Sequence, residues 1–143
     1  MSVKLCCICD ESYITGGHNP YPIFQLSEAK QCCNKCNEKK VIPARMRVAN
    51  WTHTVLKSLV ETCGINNAQQ DDEKYRDEII EALTKYINRD WGETCKSDSD
   101  KNNKAVWFAN DRIVAKYSTS KGDVFIITES DRSVTTILFS HEF

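Results

Sequence analysis

Apolar positions recur at helical spacing in the middle of the chain and turn β-branched near its end. In "NWTHTVLKSLVETCG", Trp51, Val55, Leu59, Val60 and Cys63 keep the helical period, and Gly64 supplies a stop. This predicts a helix over about 51–63. "DDEKYRDEIIEALTKYIN" repeats the spacing more cleanly, through Tyr75, Ile79, Ala82, Leu83, Tyr86 and Ile87, and predicts a helix over about 71–88. Its first turn carries Asp71, Asp72 and Glu73, the sign of charge favoured by the positive end of a helix dipole. "INNAQQ" reads as a short polar link between the two. "KAVWFAN", with the capping residues of "SDSD" ahead of it, predicts a short helix over about 98–109. "RIVAKYS", "DVFIITE" and "SVTTILF" are β-branched and aromatic runs separated by "TSKGD" and "SDR". They predict a three-stranded antiparallel meander over about 112–118, 123–128 and 133–139.

Residues 1–47 show no long periodic stretch. "GGHNPYP" and Pro43 in "VIPARM" break the segment with turns. A segment this short, with few aliphatic side chains, cannot bury enough surface to fold alone and needs a staple. The fold class expected is therefore α+β: an N-terminal four-cysteine zinc module over 1–47, then an α+β domain over 48–143.

Composition narrows the classes of partner. The net charge of −1 singles out none, but its distribution is uneven. Residues 1–47 hold seven basic side chains against four acidic ones, so the remainder is acidic. No stretch approaches the roughly 18 apolar residues that span a bilayer, and "MSVKLCCICDESY" lacks a signal peptide's apolar run. The expected location is the cytoplasm, where eight cysteines do not persist as structural disulfides.

The cysteines themselves carry the sharpest chemical signal. Cys6-x-x-Cys9 and Cys33-x-x-Cys36 have the knuckle spacing that turns two sulfurs onto one cation. Zn2+ in structural sites takes a closed tetrahedron of such thiolates, and its binding supplies the staple that the segment lacks. A redox CxxC would need a strand-to-helix context that "KLCCICD" does not offer. An iron–sulfur centre would use the same ligands. Cys7 and Cys32 double the two pairs and are the alternatives for a ligand set off by one, and His18 could replace a sulfur. Cys63 and Cys95 are expected to be plain buried or half-buried thiols.

Two further constellations bear on function. Lys35, Lys39, Lys40, Arg45 and Arg47 form a basic run after the second cysteine pair, a candidate nucleic-acid contact. "IITESDRSVTTILF" places Asp131, Arg132 and Thr135, with Glu129, around one hairpin. As an ordinary turn this needs no function, but a guanidinium beside a carboxylate and a hydroxyl is also what a ribonuclease-like phosphoryl transfer would use.

Residues 4 to about 47 resemble a small zinc-finger module that recurs at the start of short bacterial and phage proteins. The resemblance rests on "CCIC", "GHNPYP", "CCNKCN" and "VIPARM". It implies a zinc site and no activity. Asp10 stands where such a knuckle usually has glycine, and His18 where asparagine is expected. Residues from about 75 onward resemble a family of short proteins encoded on bacterial plasmids, phages and other mobile elements. That likeness is carried by "DWG", "NNKAV", "RIVAKY", "ITESDRSVTTILF" and "HEF". The family pattern has a histidine a few residues before DWG, where this chain has Tyr86, a glycine at Arg89 and a proline near Ser140. Were that histidine catalytic, its absence would argue against an enzyme. The expected function is thus macromolecular binding, with a protein partner and inhibition of a host defence or another host system. The alternatives are a nucleic-acid-binding regulator and a ribonuclease or toxin-like enzyme.

Overall fold

A computed structural model of the chain describes residues 3–14 and 16–143, leaving Met1, Ser2 and Thr15 outside. The chain divides into two compact units, Met1–Ala49 and Asn50–Phe143.

The first unit begins with a minimal hairpin, β1 (Lys4–Leu5) antiparallel to β2 (Ser12–Tyr13). The Cys6 N–H donates to the Glu11 carbonyl at 3.0 Å and closes the loop that holds the first cysteine pair. His18 and Cys32 exchange two backbone hydrogen bonds (3.0 and 2.9 Å), and the Cys7 N–H donates to the Gln31 carbonyl at 3.1 Å. These bonds tie the segment ahead of the second pair to the first. The chain then turns helical through α1 (Asn34–Cys36), one wider π turn (Asn37–Val41) and α2 (Ile42–Lys57). Pro43 does not end this helix, contrary to its reading as a turn marker. In a regular α-helix its ring would press on the carbonyl four residues back, and it has no N–H to give. The π turn, in which the Ile42 N–H reaches back to the Asn37 carbonyl, widens the helix just ahead of it.

In the second unit the predicted meander is present, as β4 (Ile113–Thr119), β5 (Gly122–Thr128) and β6 (Thr135–Phe139). A fourth strand joins it. The helix expected over 51–63 stops at Lys57, because the Ser58 hydroxyl folds back onto the carbonyls of Thr54 (2.9 Å) and Val55 (3.2 Å). Leu59–Glu61 then forms β3, parallel to Thr135–Ile137 of β6, giving the order β3-β6-β5-β4. Thr62 caps the next helix by accepting the Ile65 N–H, so "INNAQQ" lies mostly inside α3 (Cys63–Gln69) rather than in a link. Asp72 caps α4 (Glu73–Ile87) in the same way, and α5 (Lys96–Phe108) ends at the left-handed Ala109.

Alternation along β4 buries Ile113, Ala115 and Tyr117 and leaves Val114 and Lys116 half-exposed. On the same sheet, β5 and β6 add Val124, Ile126 and Ile137 to the core. Against it pack Tyr75, stacked on Phe139 at 6.4 Å, and a cluster of Trp51, Tyr86 and Trp91 with ring centroids 5.4–6.4 Å apart. Both buried indoles have acceptors: Trp51 Nε1 donates to the Tyr86 carbonyl, and Trp91 Nε1 to Asn103 Oδ1. The free edge of β4 is blocked. The buried Asn102 both donates to and accepts from the Val114 backbone, and Glu93 and Thr94 take the Lys116 carbonyl and N–H.

Gly92 makes that edge contact possible. Its φ is +62°, and a Cβ there would lie 2.5 Å from the Tyr117 ring and 2.7 Å from the Lys116 carbonyl oxygen. Gly92→Ala is expected to destabilise the second unit by about 1–3 kcal/mol or more, from backbone strain plus overlap. The check is a lower urea midpoint with an unchanged denaturant slope.

Candidate metal centre

The two knuckles meet as the spacing requires. The Sγ atoms of Cys6, Cys9, Cys33 and Cys36 all lie within 4.8 Å of one another, and Cys9 and Cys33 are 4.0 Å apart. Four sulfurs at about 2.3 Å from one zinc-sized ion would stand roughly 3.8 Å apart, so the quartet fits an ion after a small inward movement. None of the eight cysteines is in a disulfide.

Each knuckle has a local cause. After Cys9 the chain reverses at Asp10, whose φ of +61° lets its N–H reach the Cys6 carbonyl at 3.0 Å. Aspartate is one of the few side chains that visit this region readily. The second pair is wound into a helix: Cys33 is the N-cap of α1, and Cys36 follows one turn on, as the Asn37 N–H bonds the Cys33 carbonyl.

The four thiols are not equivalent. Burial pushes the Cys6 thiol up, but the N–H groups around its sulfur outweigh that and bring it down to about 6. Two of those donors, Ile8 and Cys33, stand at 3.4 and 3.3 Å. Cys36 behaves oppositely: burial first, then the sulfurs of Cys9, Cys33 and Cys6, hold it far above the usual thiol range. The N–H groups thus favour the thiolate of Cys6, whereas burial and the neighbouring sulfurs disfavour that of Cys36.

The doubled cysteines separate cleanly. Cys32 is fully buried, and burial raises its thiol to about 11. It packs with Cys6, Cys36 and Val41 as a small apolar side chain. Cys7 is half-buried against the same cluster, and burial raises it too. His18 also stays outside the quartet, with its Nε2 hydrogen-bonded to Asn34 Oδ1. Cys63 and Cys95, expected to be at least half-buried, are both exposed. They sit at the starts of α3 and α5, where helix ends face solvent.

The basic run divides in two. Lys35, Lys39 and Lys40 are exposed and line a concavity of about 220 Å³ together with Cys9, Glu11 and Cys36. Arg45 is engaged elsewhere, donating to the carbonyls of Tyr21 (2.8 Å) and Asn19 (2.7 Å) and so fixing the turn around Pro20. Arg47 is exposed and does not line that concavity.

The hairpin residues are each engaged in local structure. Asp131 is exposed, and the Ser133 hydroxyl, together with the Ser133 N–H at 3.0 Å, holds its carboxyl below the usual carboxylate range. Arg132, at φ +62°, donates to the carbonyls of Asp111 (2.7 Å), Glu129 (3.1 Å) and Ala105 (2.7 Å), and its guanidinium lies over the Trp51 ring. Thr135 is fully buried, with its hydroxyl 2.9 Å from both Ser58 Oγ and Thr128 Oγ1. Thr128 in turn meets the Tyr86 hydroxyl at 2.7 Å. This chain of four hydroxyls, buried except at Ser58, is not legible in the sequence, where Ser58 and Thr135 lie far apart.

Set against family models, curated proteins and solved structures, the chain matches none. Among the described residues, no helix is long and apolar enough to cross a membrane.

Proposed function

We propose that the cysteine quartet holds one structural zinc ion and that the chain acts by binding a macromolecule rather than by catalysis. The observation that carries this is the closure of the quartet: four sulfurs within 4.8 Å of one another. Four thiolates fill all four positions of a tetrahedral zinc and leave none for a substrate. So tight a set has room for a single ion, not for several irons with their sulfides. The zinc, when bound, supplies the charge that keeps Cys36 deprotonated beside its three neighbours.

The rest of the molecule supports a non-catalytic role. The hairpin groups that a phosphoryl transfer would need are engaged in holding turns, helix ends and strands together. A protein is the partner we favour, in the cytoplasm. The likeness of both parts to phage and plasmid proteins supports an effector against a host system, such as an inhibitor of host defence. A second reading, nucleic-acid binding, would have to use the exposed Lys35, Lys39 and Lys40.

Pull-down with the zinc-loaded chain from a host lysate is expected to return one protein at a fixed ratio. Recovery of salt-labile nucleic acid alone would contradict the first reading. Arg132→Ala addresses catalysis. It is expected to cost about 1–3 kcal/mol of stability through the orphaned carbonyls, with no RNA turnover in the parent protein to lose. RNA turnover by the parent, abolished in a still-folded Arg132→Ala, would restore the enzyme reading.

A further inference from the structure

Lys35, Lys39 and Lys40 crowd one concave surface, and among the described residues no carboxylate forms an ion pair with them. Their position follows from the helical winding of the second knuckle. Lys35 flanks Cys36, and Lys39 and Lys40 come around one turn later on the π turn. Like charges at such spacings repel one another. Negative charge close by would offset that repulsion.

The proposed metal centre is that negative charge. Zinc with four thiolates is a dianion, and two of its ligand residues, Cys9 and Cys36, line the same concavity as the three lysines and Glu11. Together the dianion and the Glu11 carboxylate balance the three ammonium groups. A phosphate backbone approaching this surface would therefore meet little net positive charge. Arg45, which would extend a basic track, is turned onto the carbonyls of Tyr21 and Asn19.

We propose that Lys35, Lys39 and Lys40 are the counter-charges of the zinc–thiolate centre and slow the loss of its metal, rather than forming a nucleic-acid contact. The inference rests on the structural-zinc reading. The lysines are positioning residues: they act on the Cys9 and Cys36 sulfurs through their field, and long side chains of this kind do so while keeping their heads in water.

The test is zinc transfer from the full chain to excess 4-(2-pyridylazo)resorcinol, followed by absorbance. The proteins compared are the parent, the combined Lys35→Gln, Lys39→Gln and Lys40→Gln variant, and the same three positions changed to arginine. The glutamine variant is expected to release zinc about tenfold faster at low salt, as when groups around a metal site are removed. Raising salt from about 0.01 M to about 1 M shrinks the Debye length from roughly 30 to 3 Å and should bring the parent toward the variant's rate. The arginine variant should release like the parent. Equal rates for parent and glutamine variant at every salt would overturn the inference, as would unchanged release with lost binding to single-stranded DNA. A parent that holds no zinc would instead sink the metal reading itself, and the lysine inference with it.

Discussion

Cys36→Ser is expected to strip the chain of its metal and unfold the first unit, while the second unit stays folded. The buried cluster of the first unit is Cys6, Cys32, Cys36 and Val41, so its interior is largely sulfur. Apolar burial on that scale cannot offset the entropy of ordering the segment. A structural zinc adds an apparent ~10–16 kcal/mol in small fingers, and one lost thiolate forfeits most of it. Metal analysis together with residue-resolved hydrogen exchange would show the loss of zinc and of protection confined to the first unit. Cys32→Ala provides the contrast: it removes a buried neighbour and should keep the metal at a cost of about 1–2 kcal/mol. Zinc lost from Cys32→Ala but retained by Cys33→Ser would mean that Cys32, not Cys33, is the ligand.

Trp51→Ala is expected to be the most damaging single change in the second unit. Trp51 is 2% exposed and packs on both Tyr86 and Trp91. Truncating it leaves a cavity, removes the donor to the Tyr86 carbonyl and takes away the ring beneath Arg132. Large-to-small changes of this kind cost about 3–5 kcal/mol, a large part of a typical 5–15 kcal/mol stability. Urea unfolding followed by circular dichroism gives the value, and Trp51→Phe should recover part of it. A loss below about 1 kcal/mol would mean that the aromatic cluster does not organise this core.

What could be read from the sequence was what local chemistry decides. Two residues between cysteines set the knuckles, and the quartet came together at Cys6, Cys9, Cys33 and Cys36 as the spacing implied. β-branched and aromatic runs between polar turns drew the three antiparallel strands. What escaped depends on distant partners. Leu59 and Val60 suit a helix as well as a strand, and only pairing with Thr135 and Thr136 makes them β3. The helix expected over 51–63 runs through Thr62, which in the fold caps α3 instead. Pro43 was read as a break because the π turn that accommodates it leaves no mark in composition. Arg132 shows the same limit from the side of function. A guanidinium next to a carboxylate looks reactive in a string of letters, and only the fold reveals the carbonyls of Ala105 and Asp111 waiting for it.

X-ray absorption at the metal edge of the purified, full chain tests the central claim most directly, because it reads the element, the ligand type and the distance together. The expected result is a zinc edge with four sulfurs at about 2.3 Å. An iron edge, a nitrogen such as that of His18 in the shell, or a metal-free chain whose first unit is folded would contradict it.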